Sequence, residues 1–332
     1  MIVAERLCKT FRLPVVKAGV FAGVRGLFAR SYRETTAVSD VSFEVGAGEF
    51  VGYIGPNGAG KSTTIKMLTG ILHPTSGTVK VAGRSPHRDR RQVASRIGVV
   101  FGQRSQLWWD LPVKDSYDVL AAMYKVDDAE KRRRLARLSE LLRLDEIMEL
   151  PVRKCSLGQR MRADLAAALL HDPDVLFLDE PTIGLDVNAK TSIRAILKSL
   201  NDELGKTILL TTHDMDDIET LCRRVMVING GKLAYDGDLS ALRARIGLPS
   251  RLEIAFAAEV PPPSARAPLP EGVTVEEASG RRAALSFRRE RIRPMRVLDA
   301  ASAWGEIVDI HLTEPELEDV IRRIYAEPTN SL

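Results

Sequence analysis

Residues 49–72 read EFVGYIGPNGAGKSTTIKMLTGIL, and this stretch decides the fold. A short apolar run, a glycine-rich turn and a segment with helical spacing follow one another, which predicts a strand, a loop and a helix. The turn matches the pattern G-x-x-x-x-G-K-S/T, in which backbone N–H groups curl around a phosphate. The N-terminus of the following helix adds a positive dipole at the same place. The stretch therefore predicts a site for a nucleoside triphosphate.

Three residues of this loop have separate predicted tasks. Lys61 can reach the β- and γ-phosphates, Ser62 offers a hydroxyl to Mg²⁺, and Thr63 adds a contact to the α-phosphate. An incidental glycine-rich turn is the alternative, but the strand, the spacing and the helix all favour a nucleotide site. The predicted contacts of the loop with the nucleotide are Gly55, Pro56, Asn57, Gly58, Ala59, Gly60, Lys61, Ser62 and Thr63.

Short apolar runs recur along the chain on both sides of the loop, and helical stretches separate most of them. Such runs are typical of strands covered on both faces, so they predict a largely parallel sheet in an α/β fold. Between about residues 113 and 153, two stretches with helical spacing predict a helical subdomain inserted into this core. The predicted strands are VSDVSFEVGA (38–47), IGVVF (97–101), DVLFLD (174–179), TILLTT (207–212) and VMVI (225–228).

The chain changes character after Gly237. Four stretches alternate as strands, and PMRVLDAASAW and EPELEDVIRRIYAE have helical spacing, which together predict a small α+β domain. We place this accessory domain at residues 248–332 and the nucleotide-binding domain at residues 1–247. A chain of 332 residues is long enough for one large and one smaller domain.

Two acids end the apolar run VLFLDEP (175–181). A carboxylate at the carboxyl end of a parallel strand faces the ligand crevice of the sheet. Asp179 is therefore predicted to hold Mg²⁺, and Glu180 to orient and deprotonate the attacking water. For an isolated acid pair, a turn without function is the better interpretation. The phosphate loop elsewhere in this chain favours the metal-binding and catalytic roles instead.

Two further polar residues follow predicted strands. His213 follows TILLTT, where it can hydrogen-bond the γ-phosphate or the Glu180 region, or instead cap the helix that begins at Asp214. Gln103 follows IGVVF, which places its amide near Mg²⁺ and the attacking water. The predicted catalytic residues are Glu180, His213 and Gln103, and the predicted magnesium ligands are Ser62, Gln103 and Asp179.

Composition limits the remaining classes of protein. The sequence is 45% hydrophobic and has no transmembrane-length apolar run and no signal peptide, so we expect it in the cytosol unless a partner holds it at a membrane. Three widely spaced cysteines fit a reducing compartment. The net charge of +4 comes with arginine-dense runs, which we interpret as solvated faces. Lipid headgroups are the alternative, and nucleic acid is not expected as a partner.

A second helix N-terminus suited to an anion lies in KCSLGQRMRADLAAALL (154–170). Ser156 and Gly158 precede an alanine- and leucine-rich helix, whose first turn can bind a phosphate. Ser156 can instead act only as a helix cap. The sequence has one phosphate loop, at residues 55–62, so a phosphate bound at this second helix start would belong to a nucleotide held by another phosphate loop.

With these motifs together, the sequence resembles the ATP-binding cassette (ABC) ATPases over residues 1–237. The motifs occur in order as GPNGAGKST, Gln103, the signature CSLGQ (155–159), VLFLDE, IGLD (183–186) and His213. The resemblance implies a P-loop NTPase core, ATP and Mg²⁺ as ligands, and two copies that meet head to tail. The signature of one copy then closes over the ATP of the other, which gives Ser156, Gly158, Gln159 and Asp186 a place at the nucleotide.

Two departures from the ABC pattern leave details open. Leu157 replaces the first glycine of the usual LSGGQ signature, which puts the fit of that loop in doubt. The aromatic residue that stacks on adenine is normally found shortly before the phosphate loop. Phe11 is the candidate, by its expected place after the first strand. Tyr32 is the rival, within a segment (12–35) that we predict to be an insertion.

The stretch FGQRSQLWWDLP (101–112) holds two adjacent tryptophans. In the ABC family, the residues after this glutamine line a groove that receives a short helix of the transmembrane partner. Trp108 and Trp109 are therefore predicted at a permease contact, near Gln103. The alternative is that both rings pack between the α/β core and the helical subdomain. We expect one ring inside and one toward the partner.

The resemblance implies a motor subunit of an ABC membrane transporter, bound peripherally to the cytoplasmic face of the membrane. The C-terminal stretch resembles subunits of bacterial drug, antibiotic or polysaccharide exporters with separate permeases. The alternative is a soluble ABC-type ATPase acting on ribosomes or DNA, which the single phosphate loop and the short helical insertion disfavour. A nucleotide-sensing module would lack the catalytic carboxylate, and Glu180 is present.

Overall fold

The computed structural model describes residues 1–14, 32–102 and 104–326. Contacts divide the chain after Gly237 into two compact units. The strands of the first unit are β1 (Ile2–Pro14), β2 (Tyr32–Val45), β3 (Phe50–Ile54), β4 (Ser76–Val81), β5 (Ile97–Phe101), β6 (Val175–Asp179), β7 (Thr207–Thr211), β8 (Arg224–Asn229) and β9 (Lys232–Asp238). Its described α-helices are α1 (Lys61–Leu68), α2 (Arg90–Ala94), α3 (Val113–Tyr124), α4 (Asp128–Leu142), α5 (Leu157–Leu169), α6 (Val187–Asp202) and α7 (Met215–Leu221).

A six-stranded sheet forms the centre of the first unit, in the order β5-β6-β7-β3-β8-β9. The pairs β5–β6, β6–β7, β7–β3 and β3–β8 are parallel, and β3 and β7 are buried along their whole length. This confirms the α/β fold predicted from the continuous apolar runs. Because parallel strands share a direction, the residues that follow β3, β6 and β7 lie at one edge of the sheet.

A second sheet of three antiparallel strands has the order β2-β1-β4. Sequence reasoning missed β4, expected the first strand to end before Phe11, and began β2 at Val38 instead of Tyr32. Both ends of the insertion predicted for residues 12–35 belong to the β1–β2 ladder, in which Arg12 pairs with Glu34 and Pro14 with Tyr32. Phe11 lies inside β1, opposite Thr35, and not after the first strand.

The predicted helical insertion corresponds to α3, α4 and a 3₁₀ turn at Val152–Lys154. Both helices contact α5, which in turn packs against β5 of the parallel sheet. Part of the arginine-dense run on α4 is paired within the helix, since Arg133 and Arg134 both contact Glu130.

The second unit spans Asp238–Pro328, so it begins before the predicted boundary at residue 248. The reason is helix α8 (Leu239–Ile246), which packs against α10 (Leu317–Ala326). The remaining elements are β10 (Ser250–Phe256), a 3₁₀ turn at Pro263–Ala265, β11 (Val273–Ser279), β12 (Arg282–Phe287), α9 (Pro294–Ser302) and β13 (Ile307–Thr313). The four strands form an antiparallel sheet in the order β11-β12-β10-β13, which packs on a buried apolar cluster that includes Phe287 and Trp304.

Among the residues that the structure describes, none of the helices combines the length and the apolar character that crossing a bilayer requires.

Candidate nucleotide site

The phosphate loop connects the buried strand β3 to helix α1, as the sequence predicts. Gly60 precedes α1 with a φ of 109°. A Cβ at this position would lie 2.5 Å from the carbonyl oxygen of Ala37, so only glycine fits without movement of the backbone. The loop geometry therefore depends on glycine at this position.

Lys61 is buried at the start of α1, with 7% of its surface exposed. Its Nζ donates to the carbonyl oxygen of Gly55 at 2.6 Å and to that of Pro56 at 3.3 Å. Burial lowers the pKa of Lys61, and the nearby carboxylates of Glu180 and Asp179 offset part of that shift. The ammonium is thus held inside the loop, beside two carboxylates.

Asp179 ends β6 and contacts hydroxyl groups from two other elements. Its Oδ1 lies 3.5 Å from the Oγ of Ser62 on α1, and it accepts a hydrogen bond from Thr211 Oγ1 at 2.5 Å. A serine hydroxyl beside a carboxylate is a pair of hard oxygen donors of the kind that Mg²⁺ prefers. The residues predicted to hold the metal from β6 and α1 are therefore adjacent.

Glu180 and His213 contact each other directly, through Oε2 of the carboxylate and Nδ1 of the imidazole ring. Of the two interpretations of His213, the structure has the one in which the ring contacts Glu180. Asp214 precedes α7, which has no side-chain cap at its start. The backbone of Glu180 has a φ of 58°, which is uncommon for a residue with a side chain and is typical of functional turns.

Because Gly102 has no side chain, the backbone turn at Glu180 can pack directly against it. A Cβ on Gly102 would lie 1.9 Å from the carbonyl oxygen of Glu180, which no relaxed structure permits. The backbone N–H of Gly102 also donates to the carbonyl oxygen of Asp179 at 2.7 Å. Sequence reasoning missed this glycine, although its position directly before Gln103 was a usable signal. Gln103 itself lies outside the described residues.

An open cleft of about 650 Å³ joins these groups. Asn57 and Ser62 of the phosphate-loop region line it together with Asp179, Glu180 and His213. The structure therefore brings together predicted residues from three separate motifs. Ser62 and Asp179, for example, are 117 positions apart in the sequence.

The signature residues form a helix cap. Ser156 Oγ accepts a hydrogen bond from the backbone N–H of Gln159, and the Gln159 side chain accepts one from the N–H of Ser156, which completes a capping box at the start of α5. Asp186 caps α6 in a similar way, through the N–H of Ala189 at 2.8 Å. A Cβ on Gly158 would lie 3.2 Å from Cβ of Ala189, so the two helix starts are close.

Both candidate aromatic rings for the adenine are accessible. Phe11 is 36% exposed and carries the ammonium of Lys9 at 5.3 Å from its ring centre. Tyr32 is 51% exposed at the start of β2. Both rings are therefore accessible for stacking on a base.

Trp108 and Trp109 are both partly exposed, at 39% and 52%. The expectation of one ring inside and one outside is therefore wrong, as is the alternative with both rings packed internally. Among the described residues of this stretch, Leu107 is the buried one, at 6% exposure. The guanidinium of Arg160 on α5 lies 5.2 Å from the centre of the Trp109 ring.

Three polar residues that sequence reasoning missed surround the catalytic pair: Thr182, Arg194 and Asp217. The stretch HDMDDIE (213–219) contains three aspartates, and no sequence pattern separates them. The structure does so by burial, because Asp217 is fully buried while the side chain of Asp216 is 79% exposed.

A phosphate loop, a strand-end acid pair and a histidine that share one cleft define the first unit as a P-loop domain that binds and hydrolyses nucleotide. The profile of the ABC transporter family matches residues 38–183. The chain belongs to this family, and its first unit is an ABC-type ATPase domain that binds ATP. The family assignment, the fold class and the ATPase activity predicted from the motifs are thereby confirmed.

Two curated relatives span the range of transport directions. The Nod factor export ATP-binding protein I of Paraburkholderia xenovorans (strain LB400) is 43% identical over 215 residues, which cover 65% of this chain and 70% of the relative. The methionine import ATP-binding protein MetN of Latilactobacillus sakei subsp. sakei (strain 23K) is 36% identical over 223 residues, covering 65% and 64%.

A solved structure with a similar fold is the dimeric post-hydrolysis state of the ATP-binding cassette MJ0796 bound to ADP and Pi. The TM-score is 0.59 and the sequence identity 26%, over 72% of this chain and 99% of that one.

Proposed function

We propose that the chain is the ATP-hydrolysing motor subunit of an ABC exporter, working as a head-to-tail homodimer around two ATP and Mg²⁺. In this proposal it lies on the cytoplasmic face of the membrane and drives separate permease subunits, and the second unit is an accessory domain. The observation that carries the proposal is the contact of Glu180 with His213 in the cleft that the phosphate loop lines.

Binding of ATP is assigned to residues of three motifs. The backbone N–H groups of residues 55–63 and the ammonium of Lys61 bind the phosphates, while Phe11 stacks on adenine, with Tyr32 as the rival. Ser62 and Asp179, 3.5 Å apart, are the described residues that would hold Mg²⁺, and Gln103 would join them. The metal supplies charge neutralisation at the β- and γ-phosphates.

Hydrolysis is assigned to Glu180, whose carboxylate orients a water molecule and takes its proton. Because His213 engages Oε2, we assign Oε1 to the water. His213 holds the carboxylate in place, and its other ring nitrogen, Nε2, is available to the γ-phosphate. A positioned general base contributes roughly 10²- to 10⁴-fold to a rate.

The head-to-tail dimer accounts for the signature cap at α5. Ser156, Gly158, Gln159 and Asp186 cluster at the starts of α5 and α6, and in the proposal they meet the γ-phosphate of the ATP bound by the second copy. A dimeric neighbour bound to ADP and Pi supports this arrangement.

Export is proposed over import because the relative named for export is 43% identical and the one named for import 36% identical. Family membership does not favour the alternative of a soluble ATPase acting on ribosomes or DNA.

The test of the motor site is Glu180→Gln. This variant should retain ATP binding, lose hydrolysis and accumulate as an ATP-bound dimer, which size-exclusion chromatography detects. The wild-type chain under the same conditions is the control, because it clears the dimer by hydrolysis. A variant that stays monomeric at saturating ATP, or that hydrolyses ATP at the wild-type rate, contradicts the proposal.

A further inference from the structure

Asp217, on the first turn of α7, is a fully buried carboxylate that no part of the proposed hydrolysis uses. Its Oδ2 accepts two hydrogen bonds, from Thr182 Oγ1 at 2.5 Å and from Thr212 Oγ1 at 3.1 Å. Its Oδ1 accepts from the Nε of Arg194 at 2.5 Å. Both oxygens of this carboxylate therefore accept hydrogen bonds from side chains of the same domain.

The two threonines connect this carboxylate to the catalytic pair. Thr182 lies two residues after Glu180, and Thr212 lies directly before His213. Both side chains are buried, at 2% and 1% exposure. The Thr212 hydroxyl also accepts from the backbone N–H of Asp214 at 3.0 Å, so it fixes the backbone on both sides of His213. One oxygen atom therefore joins the two turns that carry Glu180 and His213.

Both turns need such support. The left-handed backbone of Glu180 is strained for a residue with a side chain, and such a conformation persists only where its surroundings hold it. Arg194 balances the buried charge and also contacts Asp214 at 3.0 Å, next to His213. A fully satisfied polar network of this kind is rigid, because each member loses a partner if another moves.

We propose that Asp217 is a positioning residue for hydrolysis, acting through Thr182 and Thr212 to hold Glu180 and His213 in contact. The inference rests on the proposed role of Glu180. Asp217 does not touch the nucleotide in this scheme, so its removal changes the rate of hydrolysis and not the affinity for ATP.

The decisive variant of the full chain is Thr182→Val with Thr212→Val. Valine has the shape of threonine, and the buried pair of Asp217 and Arg194 stays intact, so we expect the variant to fold although Asp217 loses two hydrogen bonds. We expect kcat to fall roughly 10- to 100-fold, since a displacement of about 1 Å at a catalytic group has an effect of that order. The dissociation constant of a non-hydrolysable ATP analogue, measured by equilibrium titration, should stay within about twofold.

Rescue and controls separate positioning from a merely structural role. Serine at both positions keeps the hydroxyl groups and should restore kcat. Thr191→Val, at an exposed threonine of α6, is the matched control and should leave kcat unchanged. Asp217→Asn should also lower kcat, because an amide has one acceptor oxygen and one NH₂ donor and so cannot accept from the two threonines and from Arg194 together. Asp216→Asn, at an exposed side chain, should not.

Glu180→Gln, measured in parallel, distinguishes the two proposals. If it abolishes hydrolysis while the double valine variant keeps the wild-type kcat, the role of Asp217 is wrong and the proposed function stands. A joint loss of kcat and analogue affinity in the valine variant also overturns the positioning role. If Glu180→Gln hydrolyses ATP normally, the assigned site itself is wrong and the inference is overturned with it.

Discussion

Asp164 shows at the scale of one residue how burial and hydrogen bonding oppose each other in this domain. It lies on α5 with 5% of its surface exposed, and its Oδ1 accepts from Ser105 Oγ at 2.8 Å and from the N–H of Gln106 at 3.0 Å. Burial raises the pKa of Asp164 to about 6, and these hydrogen bonds and Arg160 offset part of the rise. The residue holds the segment after Gln103 against α5.

A raised pKa makes the contribution of Asp164 to stability depend on pH. The folded state binds the proton more tightly than the unfolded chain, whose reference pKa is 3.8. The favourable contribution is therefore complete below about pH 4 and is lost as the pH rises through about 6. Asp164→Asn should gain in free energy of unfolding relative to the wild type between pH 4 and pH 7, by at most about 3 kcal/mol.

Urea titrations at several pH values measure this difference, with Asp110→Asn at a 73%-exposed side chain as the control. A difference between Asp164→Asn and the wild type that does not change over this range would show that the carboxylate carries no cost of burial.

Lys61 gives a second prediction at the residue scale. Its ammonium is held by two loop carbonyls and lies near Asp179 and Glu180, so it is preorganised for the phosphates. Lys61→Ala should weaken ATP binding by at least about tenfold, since a charge-assisted contact of this kind contributes about 1.5–3 kcal/mol. Equilibrium titration with ATP measures the effect, and Lys198→Ala, at an exposed lysine of α6, is the control. Unchanged affinity in Lys61→Ala would refute the assigned role.

At the scale of elements, the end of β5 depends on the turn that follows β6. The Cβ that alanine would add at Gly102 lies 1.9 Å from the carbonyl oxygen of Glu180, so Gly102→Ala must move one of the two turns. We expect kcat to fall about 100-fold, because the displaced residue is the proposed base. ATP affinity should change little, since Lys61 and the phosphate loop belong to other elements.

The control for this prediction is Gly46→Ala, where the nearest atoms belong to the flexible end of the Glu49 side chain at 3.3 Å. Steady-state ATPase assays of both variants decide the matter. Wild-type kcat in Gly102→Ala would mean that the Glu180 turn tolerates displacement.

The elements also show what the sequence can and cannot predict. Buried parallel strands and the phosphate loop have strong local patterns, so β3, β6 and β7 and the acids that follow them were predictable. The full extent of β1 and the presence of β4 were not, because an antiparallel sheet with one exposed face has a weaker pattern and β1 carries register shifts within its ladder. Asp217 acts through contacts between distant segments, which depend on tertiary packing that no local pattern encodes. Gly102 lies beside Gln103 in the sequence, but its close approach to Glu180 is visible only in the structure.

At the scale of the whole molecule, function depends on surfaces that the chain leaves exposed. Trp108 and Trp109 keep 39% and 52% of their surface accessible, although burying a whole ring is worth roughly 4–6 kcal/mol. Leu111, Val119 and Met123 follow along the same stretch and are exposed as well. Two adjacent exposed tryptophans in the segment that follows Gln103 are typical of an interaction surface, because Trp is enriched at interface hot spots.

Replacing both tryptophans with alanine should therefore weaken association with the permease, because the contact would lose two aromatic anchors. Affinity purification of the tagged full chain from gently solubilised native membranes measures the yield of the complex. The rings are already partly exposed in the isolated chain, so the melting temperature and the basal ATPase rate should change little. Met295→Ala, at a 63%-exposed methionine of the second unit, is the control for general loss of surface hydrophobicity.

An undiminished yield of permease with Trp108→Ala and Trp109→Ala would place the docking surface elsewhere on the ATPase domain. Recovery of the wild-type chain with ribosomes or DNA-processing proteins, and with no multi-span membrane protein, would overturn the transport role while leaving the ATPase chemistry intact.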